Sequence, residues 1–210
     1  RGGSDYTASI VGAALGASVI EIWTDVDGIM TADPRKVPNA FTIPDISYAE
    51  AMELSHFGAK VIYPPSLQPA FAHNIPLKVM NTFNPSFQGT LVSRTKTTKE
   101  YDITGISSID DIALVNIQGS GMIGVAGVSS RLFSALSETG ISVILISQAS
   151  SEHSICFAIR PEDAPEAQSV LEQVFEKEIQ AGQIDGISTQ KHLSIIAIVG
   201  EGMKRSAGIS

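Results

Sequence analysis

The chain has few of the residues that mark a specialised environment. Its 210 residues include a single cysteine, Cys156. An internal disulfide and a cysteine-based metal cluster are therefore excluded, and a reducing cytoplasm is the expected compartment. No apolar run approaches the ~18 residues of a membrane span, so no membrane partner is expected. No basic-then-apolar leader opens the chain. Positive charge is scarce: 14 Lys and Arg face 22 Asp and Glu, a net charge of −8. That balance argues against nucleic acid as a partner. The four histidines (His56, His73, His153, His192) share no metal-like spacing, and no metal site is expected from them.

What is present is ordinary globular composition, 43% apolar and 17% charged. The length suits one large domain or two small ones. The charge is uneven. Residues 1–100 carry 8 basic and 9 acidic residues, and residues 101–210 carry 6 and 13. The near-neutral half keeps its cations beside glycines, which suits a small anion.

The hydrophobic pattern predicts a helix over Asp5–Ala17, capped by Ser4 or Asp5, and a buried strand over Val19–Trp23. A turn-rich loop, TDVDGIMTADPRKVPNA, follows. Ser47 and Glu50 form a capping box that opens a helix through about Phe57. A further helix after Pro64-Pro65 and a strand over Leu77–Asn81 complete a layered α/β rhythm. Polar residues 95–101 read as a linker. Beyond them come a strand over Ile112–Ile117, a glycine loop over Gly119–Gly127 and a helix over Ser129–Thr139. Strands over Val143–Ser147 and Ile155–Ile159 follow, with Cys156 as a core residue. Asp163 and Glu166 cap a long helix to about Ile179, and a weaker strand lies near Ile184–Thr189. The order βαββαβ is that of a small ferredoxin-like unit.

A repeat then appears. Gly119-Ser120-Gly121-Met122 recurs as Gly200-Glu201-Gly202-Met203, and Ala126-Gly127-Val128-Ser129 recurs as Ala207-Gly208-Ile209-Ser210. Each copy follows an apolar strand, Ala113–Ile117 or Leu193–Val199. The chain is expected to enter a second βαββαβ unit and to be an internal segment of something longer.

Four stretches can carry chemistry. Arg1-Gly2-Gly3-Ser4-Asp5 has the parts of an anion site: glycines for close approach, helix amides, and an arginine fork. It is equally a turn plus a cap, and Asp5 would repel an anion unless it orients a lysine or binds through a metal. Thr24-Asp25-Val26-Asp27-Gly28 follows a strand end, where open α/β sheets place ligands. It suits magnesium or ribose, or simply an Asp-Gly turn. Asp33-Pro34-Arg35-Lys36 is either a phosphate contact or a wet turn. Lys60, after Phe57-Gly58-Ala59, either complements a helix dipole or reaches a transferring phosphoryl group.

Taken in order, RGGSDYTA, WTDVDGIMTADPR, FGAKV and GTLV followed by two repeats resemble the aspartokinases. ISYAEAMEL, ISQASSE and VGEGM resemble the bifunctional aspartokinase–homoserine dehydrogenase branch. The resemblance covers essentially the whole chain. It implies an α/β architecture: the C-terminal part of an amino-acid-kinase fold (1–94), a linker and strand (95–111), a first ferredoxin-like ACT domain (112–191), and the start of a second (192–210). It implies phosphoryl transfer from MgATP to L-aspartate. Arg1 and Ser4 would hold the substrate, and Asp5 and Lys60 would be catalytic. Thr24, Asp25, Met30, Arg35 and Lys60 would contact the nucleotide. Gly119, Gly121, Met122, Ile146 and Gln148 would bind threonine as the effector. The ACT domains would pair in a homo-oligomer, and NAD(P) would belong to a dehydrogenase segment outside this chain. Met30 and Tyr63 stand where the family often has tyrosine and histidine, which implies a tuned pocket. The family's N-terminal lobe supplies a further lysine, so the segment alone is expected to be inactive. The alternatives are a non-catalytic amino-acid sensor, or another amino-acid kinase.

Overall fold

Small residues shape the first helix, and a strand tucked beneath it opens the sheet. The computed structural model describes residues 2–58, 61–96, 102–123, 125–148 and 153–205. Helix α1 spans Gly3–Leu15 and ends at Gly16, whose left-handed backbone (φ 62°) brings the Ala17 amide back to the Gly12 carbonyl at 3.0 Å. Its N-cap is Gly2, and no side chain caps it, so Ser4 and Asp5 sit inside the first turn instead. Strand β1 (Ile20–Thr24) buries Ile20 and Ile22, while Glu21 and Trp23 face outward. It is thus half-buried rather than wholly buried, with the alternation of a strand that has one covered face.

The chain divides into two compact units, residues 1–109 with 196–210, and residues 110–195. In the first unit, β2 (Asp45–Ser47), β3 (Leu77–Asn81) and β4 (Thr90–Ser93) join β1 in a sheet of order β1-β3-β4-β2. The β1–β3 and β2–β4 pairs are parallel, and β3–β4 is antiparallel. Helix α2 (Tyr48–His56) carries the expected capping box: Ser47 Oγ accepts from the Glu50 amide, and the Glu50 carboxylate accepts from the Ser47 amide. A 3-10 turn at Pro64–Ser66 leads into α3 (Leu67–Ala72). The core gathers Ile22, Ile46, Leu54, Leu67, Leu77 and Val79. Each such side chain contributes about 1.5–3 kcal/mol on full burial.

Strand β5 (Gly105–Gln118) begins seven residues earlier than expected, and its residues divide between the units at Ile109. The second unit adds α4 (Val128–Glu138), β6 (Leu145–Gln148), β7 (Ser154–Ile159), α5 (Ala164–Val174), α6 (Glu176–Gln180) and β8 (Gly186–Val199). The sheet order β6-β7-β5-β8 is the ferredoxin-like order. Cys156 is half-buried on β7, and its Sγ donates to Asn116 Oδ1 at 3.1 Å. Two expectations are corrected here. Asp163 is helical in backbone (φ −81°, ψ −14°) and makes no side-chain cap, and the long helix breaks at Phe175. The separate strands near 184–189 and 193–199 are one strand, β8, with His192 in a left-handed conformation (φ 59°) inside it.

The 81-residue repeat extends beyond the glycine motif. In the first unit the Thr104 amide donates to the Val199 carbonyl at 2.7 Å. In the second, the Asp185 amide donates to the Gln118 carbonyl at 2.8 Å. Both the donors and the acceptors are 81 residues apart in sequence. So are Asp111 and His192, which are both left-handed (φ 51° and 59°) and meet at 3.2 Å through Oδ1 and Nδ1. No helix among the described residues is long and apolar enough to cross a membrane.

Candidate functional site

The opening motif is held by contact with the loop after Lys60. Gly2 has φ 86°, and a Cβ there would lie 2.3 Å from Tyr63 Cβ. Only glycine satisfies both the left-handed backbone and that approach. The start of α1 is therefore seated on Tyr63, three residues beyond Lys60. The Gly2 carbonyl accepts from the Tyr6 amide at 3.1 Å, so the helix is regular from its first turn. Ser4 is exposed, and its hydroxyl donates to Asp5 Oδ1 at 3.2 Å; Asp5 is half-buried. The unbonded amides of the first turn make this end electropositive. Arg1 and Lys60 lie outside the described residues.

A second group forms at the C-terminal ends of the parallel strands β1 and β3. The Thr82 amide donates to the Thr24 carbonyl at 2.8 Å, locking the two ends together. Thr24 Oγ1 donates to Asp25 Oδ1 at 3.1 Å, and Asp25 is exposed. Asp27 is engaged within the protein: its Oδ1 accepts from Asn81 Nδ2 at 2.8 Å and from Asn84 Nδ2 at 3.1 Å. Those asparagines tie the loop to β3, and sequence reasoning missed them. The signal was available, because carboxamides just past a strand end sit where such folds collect ligands.

Further along the loop, Met30 is half-buried and bridges to Thr42. Arg35 is held by Asp33: Nε donates to Oδ1 at 3.0 Å and Nη2 to Oδ2 at 2.8 Å, with the guanidinium side chain 84% exposed. Hydrogen bonds from the Arg35 side chain and amide pull the Asp33 carboxyl down to about 2. The arginine is thereby presented to solvent in one orientation. Ser4 and Asp5 bond to each other, as do Thr24 and Asp25, and no hydrogen bond links the two pairs.

The effector candidates all lie in the second unit. The Gly119 amide donates to the His153 carbonyl at 3.0 Å, and the Gly121 amide to Gln183 at 2.9 Å. Gln118 pairs with Ser154 and Gln148 with Ile155, so Gly119 and Gln148 share one end of the sheet. Ile146 and Gln148 are exposed on β6 and, two residues apart, point to the same face. Met122 is different: it is 4% exposed and belongs to the core.

Residues 1–81 match the amino acid kinase family, and residues 115–175 match the ACT domain. All 210 residues align at 50% identity with a bifunctional aspartokinase/homoserine dehydrogenase of Haemophilus influenzae, covering 26% of it. The chain belongs to the aspartokinase family. The fold agrees with that placement: aspartate kinase from Clostridium acetobutylicum superposes with a TM-score of 0.86 at 31% identity, over 99% of this chain and 47% of that one. Aspartokinase III of E. coli, solved with aspartate and ADP, gives a TM-score of 0.79 at 32% identity, over 100% of this chain and 46% of that one. This aspartokinase segment thus spans about a quarter of the curated relative and just under half of the solved kinases.

Proposed function

We propose that the polypeptide carrying this chain transfers the γ-phosphoryl group of ATP, delivered as its magnesium complex, to the β-carboxylate of L-aspartate. A carboxylate oxygen attacks the γ-phosphorus, the bond to the bridging oxygen breaks, and ADP leaves with that oxygen. The product is an acyl phosphate. The observation that carries this reading is the seating of Gly2 on Tyr63, which sets the start of α1 against a residue three positions after Lys60 in sequence. A substrate carboxylate at the helix start and a cation for the phosphoryl oxygens are what such a transfer needs.

In this reading Arg1 and Ser4 hold the aspartate, and Asp5 orients Lys60. Thr24, Asp25, Met30 and Arg35 contact the nucleotide. Gly119, Gly121, Ile146 and Gln148 receive threonine at one end of the second unit's sheet, and Met122 supports that loop from the core. Residues 1–94 are the kinase segment, 95–111 the linker and strand, 112–191 a first ACT domain, and 192–210 the start of a second. Paired ACT domains make the polypeptide a homo-oligomer of the cytoplasm, and a dehydrogenase segment elsewhere in it uses NAD(P). A pure sensor has no need of the sheet and strand-end residues of the first unit.

The test is a chimera in which this chain replaces the matching 210 residues of the H. influenzae relative. A coupled assay should show ADP release that depends on aspartate, ignores glutamate, and falls when threonine is added. Release without aspartate dependence would refute the kinase assignment, and inhibition by lysine alone would refute the effector assignment.

A further inference from the structure

The loop after β3 holds an aromatic side chain out to solvent. Residues 82–89 join β3 to its antiparallel neighbour β4. The loop opens with a tight turn over Asn81–Asn84, closed by the Asn84 amide donating to the Asn81 carbonyl at 3.2 Å. Four further bonds fix that turn. The Thr82 amide donates to the Thr24 carbonyl at 2.8 Å. The Phe83 amide donates to Asn81 Oδ1 at 2.9 Å. Asn81 Nδ2 and Asn84 Nδ2 both donate to Asp27 Oδ1, at 2.8 and 3.1 Å. Both ends of the Asn81 carboxamide are thus engaged, and Asn81 is buried.

On this turn stands Phe83, at 81% the most exposed large apolar side chain among the described residues. A single exposed apolar side chain is ordinary on a protein surface. Two features set this one apart. Its backbone is held on both sides, and it stands at the carboxyl ends of the parallel strands β1 and β3, one residue beyond the bond that joins Thr82 to Thr24. Open α/β sheets collect their ligands at that end.

A nucleotide presents two chemistries there. Its phosphates need cations, amides or a metal ion, and its base is a flat ring that needs a flat partner. Thr24, Asp25 and Arg35 suit the sugar and the phosphates. Met30, the apolar member of the nucleotide candidates, is half-buried and bridges to Thr42. None of the four offers an exposed aromatic face, and Phe83 does. Stacking of a base on such a ring depends little on which base it is. Phenylalanine has two side-chain torsions, and with its backbone already fixed it loses little freedom on stacking.

We propose that Phe83 is the platform on which the base of the nucleotide stacks, held in place by Asn81, Asn84 and Asp27. This rests on the reading of Thr24 and Asp25 as nucleotide contacts, and adds the residue that meets the base. It also separates the two aspartates of the loop. Asp27 is taken up by the asparagines and shapes the turn, whereas Asp25 is exposed toward the ligand.

The test compares Phe83→Ala with Phe83→Trp in the chimera. Phe83→Ala is expected to raise the KM for ATP about 10-fold. Its kcat and its KM for aspartate should stay within about twofold, the pattern of lost uniform binding. Phe83→Trp keeps an aromatic face and should stay within about threefold of the unsubstituted chimera throughout. Inorganic tripolyphosphate, a competitive probe with phosphates and no base, should inhibit the chimera and Phe83→Ala equally, within about twofold. Urea midpoints followed by circular dichroism should agree within about 0.3 M, since an exposed ring supports no core. A KM for ATP that stays within about twofold in Phe83→Ala would overturn the platform, and a lowered midpoint beside it would show that the ring packs within the polypeptide instead. Tripolyphosphate inhibition weakened as much as ATP binding would overturn it too, because the whole turn would then have moved. Each of these results leaves the kinase assignment intact. An unsubstituted chimera without aspartate-dependent turnover would overturn the kinase assignment and the platform with it.

Discussion

Replacing Glu50 should loosen the first unit more than any surface change. Its carboxylate is 2% exposed. Oε1 accepts from Thr104 Oγ1 at 2.6 Å and from the Glu201 amide at 3.0 Å, Oε2 accepts from the Ser47 amide at 3.2 Å, and Lys96 Nζ is 3.8 Å away. One side chain thus joins the start of α2, the start of β5 and the second glycine turn. Glu50→Ala leaves three donors without their acceptor and removes the counter-charge of the half-buried Lys96 ammonium, which still donates to Thr104 Oγ1 at 2.9 Å. A buried group left unsatisfied costs about 1–3 kcal/mol, and breaking a buried charged cluster costs about 3–5 kcal/mol in all. We expect about 4 kcal/mol for alanine. Glutamine should cost about 1–3 kcal/mol, because its oxygen retains one set of donors while its NH2 opposes another. Trp23 is the chain's sole tryptophan and lies in the first unit, so its emission during urea titration reports that unit. With a urea slope of about 2 kcal/mol/M, alanine should lower the midpoint by about 2 M. A shift below about 0.3 M would refute the reasoning. The pH dependence is a second arm. Burial pushes the Glu50 carboxyl up, but the bonds from Thr104, Glu201 and Ser47 and the charge of Lys96 outweigh it, so it titrates below its ordinary 4.5. Its contribution is therefore complete above pH 4.5 and is lost as pH falls through the lower folded value. Glu50→Gln should remove that acid slope.

Tyr48 donates its hydroxyl to the Ile75 carbonyl, and burial pushes its phenol up to about 12. Tyr48→Phe should cost about 1–2 kcal/mol at neutral pH by the same urea titration. The unfolded phenol ionises near 10 while the folded one stays neutral, so the first unit should lose stability between pH 10 and 12, and the phenylalanine variant should lack that component of the slope. Gly58→Ala forces a Cβ to within 2.2 Å of the Ser108 carbonyl oxygen at φ 120°. The strain of that backbone in alanine is about 1–3 kcal/mol before the clash is counted, and a Trp23-monitored midpoint equal to that of the unsubstituted chain would contradict it.

Local signals were legible and non-local ones were not. The Ser47–Glu50 capping box is a four-residue pattern, and it forms as read. The same pattern at Asp163 and Glu166 does not, for a local reason that the pattern ignores. Pro165 has no amide to offer at the second helical position, and the backbone of Asp163 is helical rather than extended. The cap of α1 moved to Gly2 because Tyr63, 61 positions away in sequence, occupies the space a side chain would need. The polar run Gln190-Lys191-His192 reads as a break between two strands, yet β8 passes through it, since His192 tolerates a left-handed backbone and meets Asp111. The candidate strand-end residues Thr24 and Asp25 were found by their place in the α/β rhythm. The place of Asn81 and Asn84 at the end of β3 was legible in the same way, but their bonds to Asp27 cross more than 50 residues, which no window along the chain displays.

The central claim is that this chain forms part of a site making an acyl phosphate on aspartate. Hydroxylamine traps acyl phosphates as hydroxamates, so the chimera should accumulate aspartyl hydroxamate when given ATP, aspartate and hydroxylamine. Asp5→Asn, which removes the carboxylate proposed to orient Lys60, should lower that yield about 100-fold or more, in line with the loss of one member of a concerted site. Hydroxamate formed equally well by Asp5→Asn would contradict the proposed role of the opening motif, and ADP release with no hydroxamate would contradict the account itself.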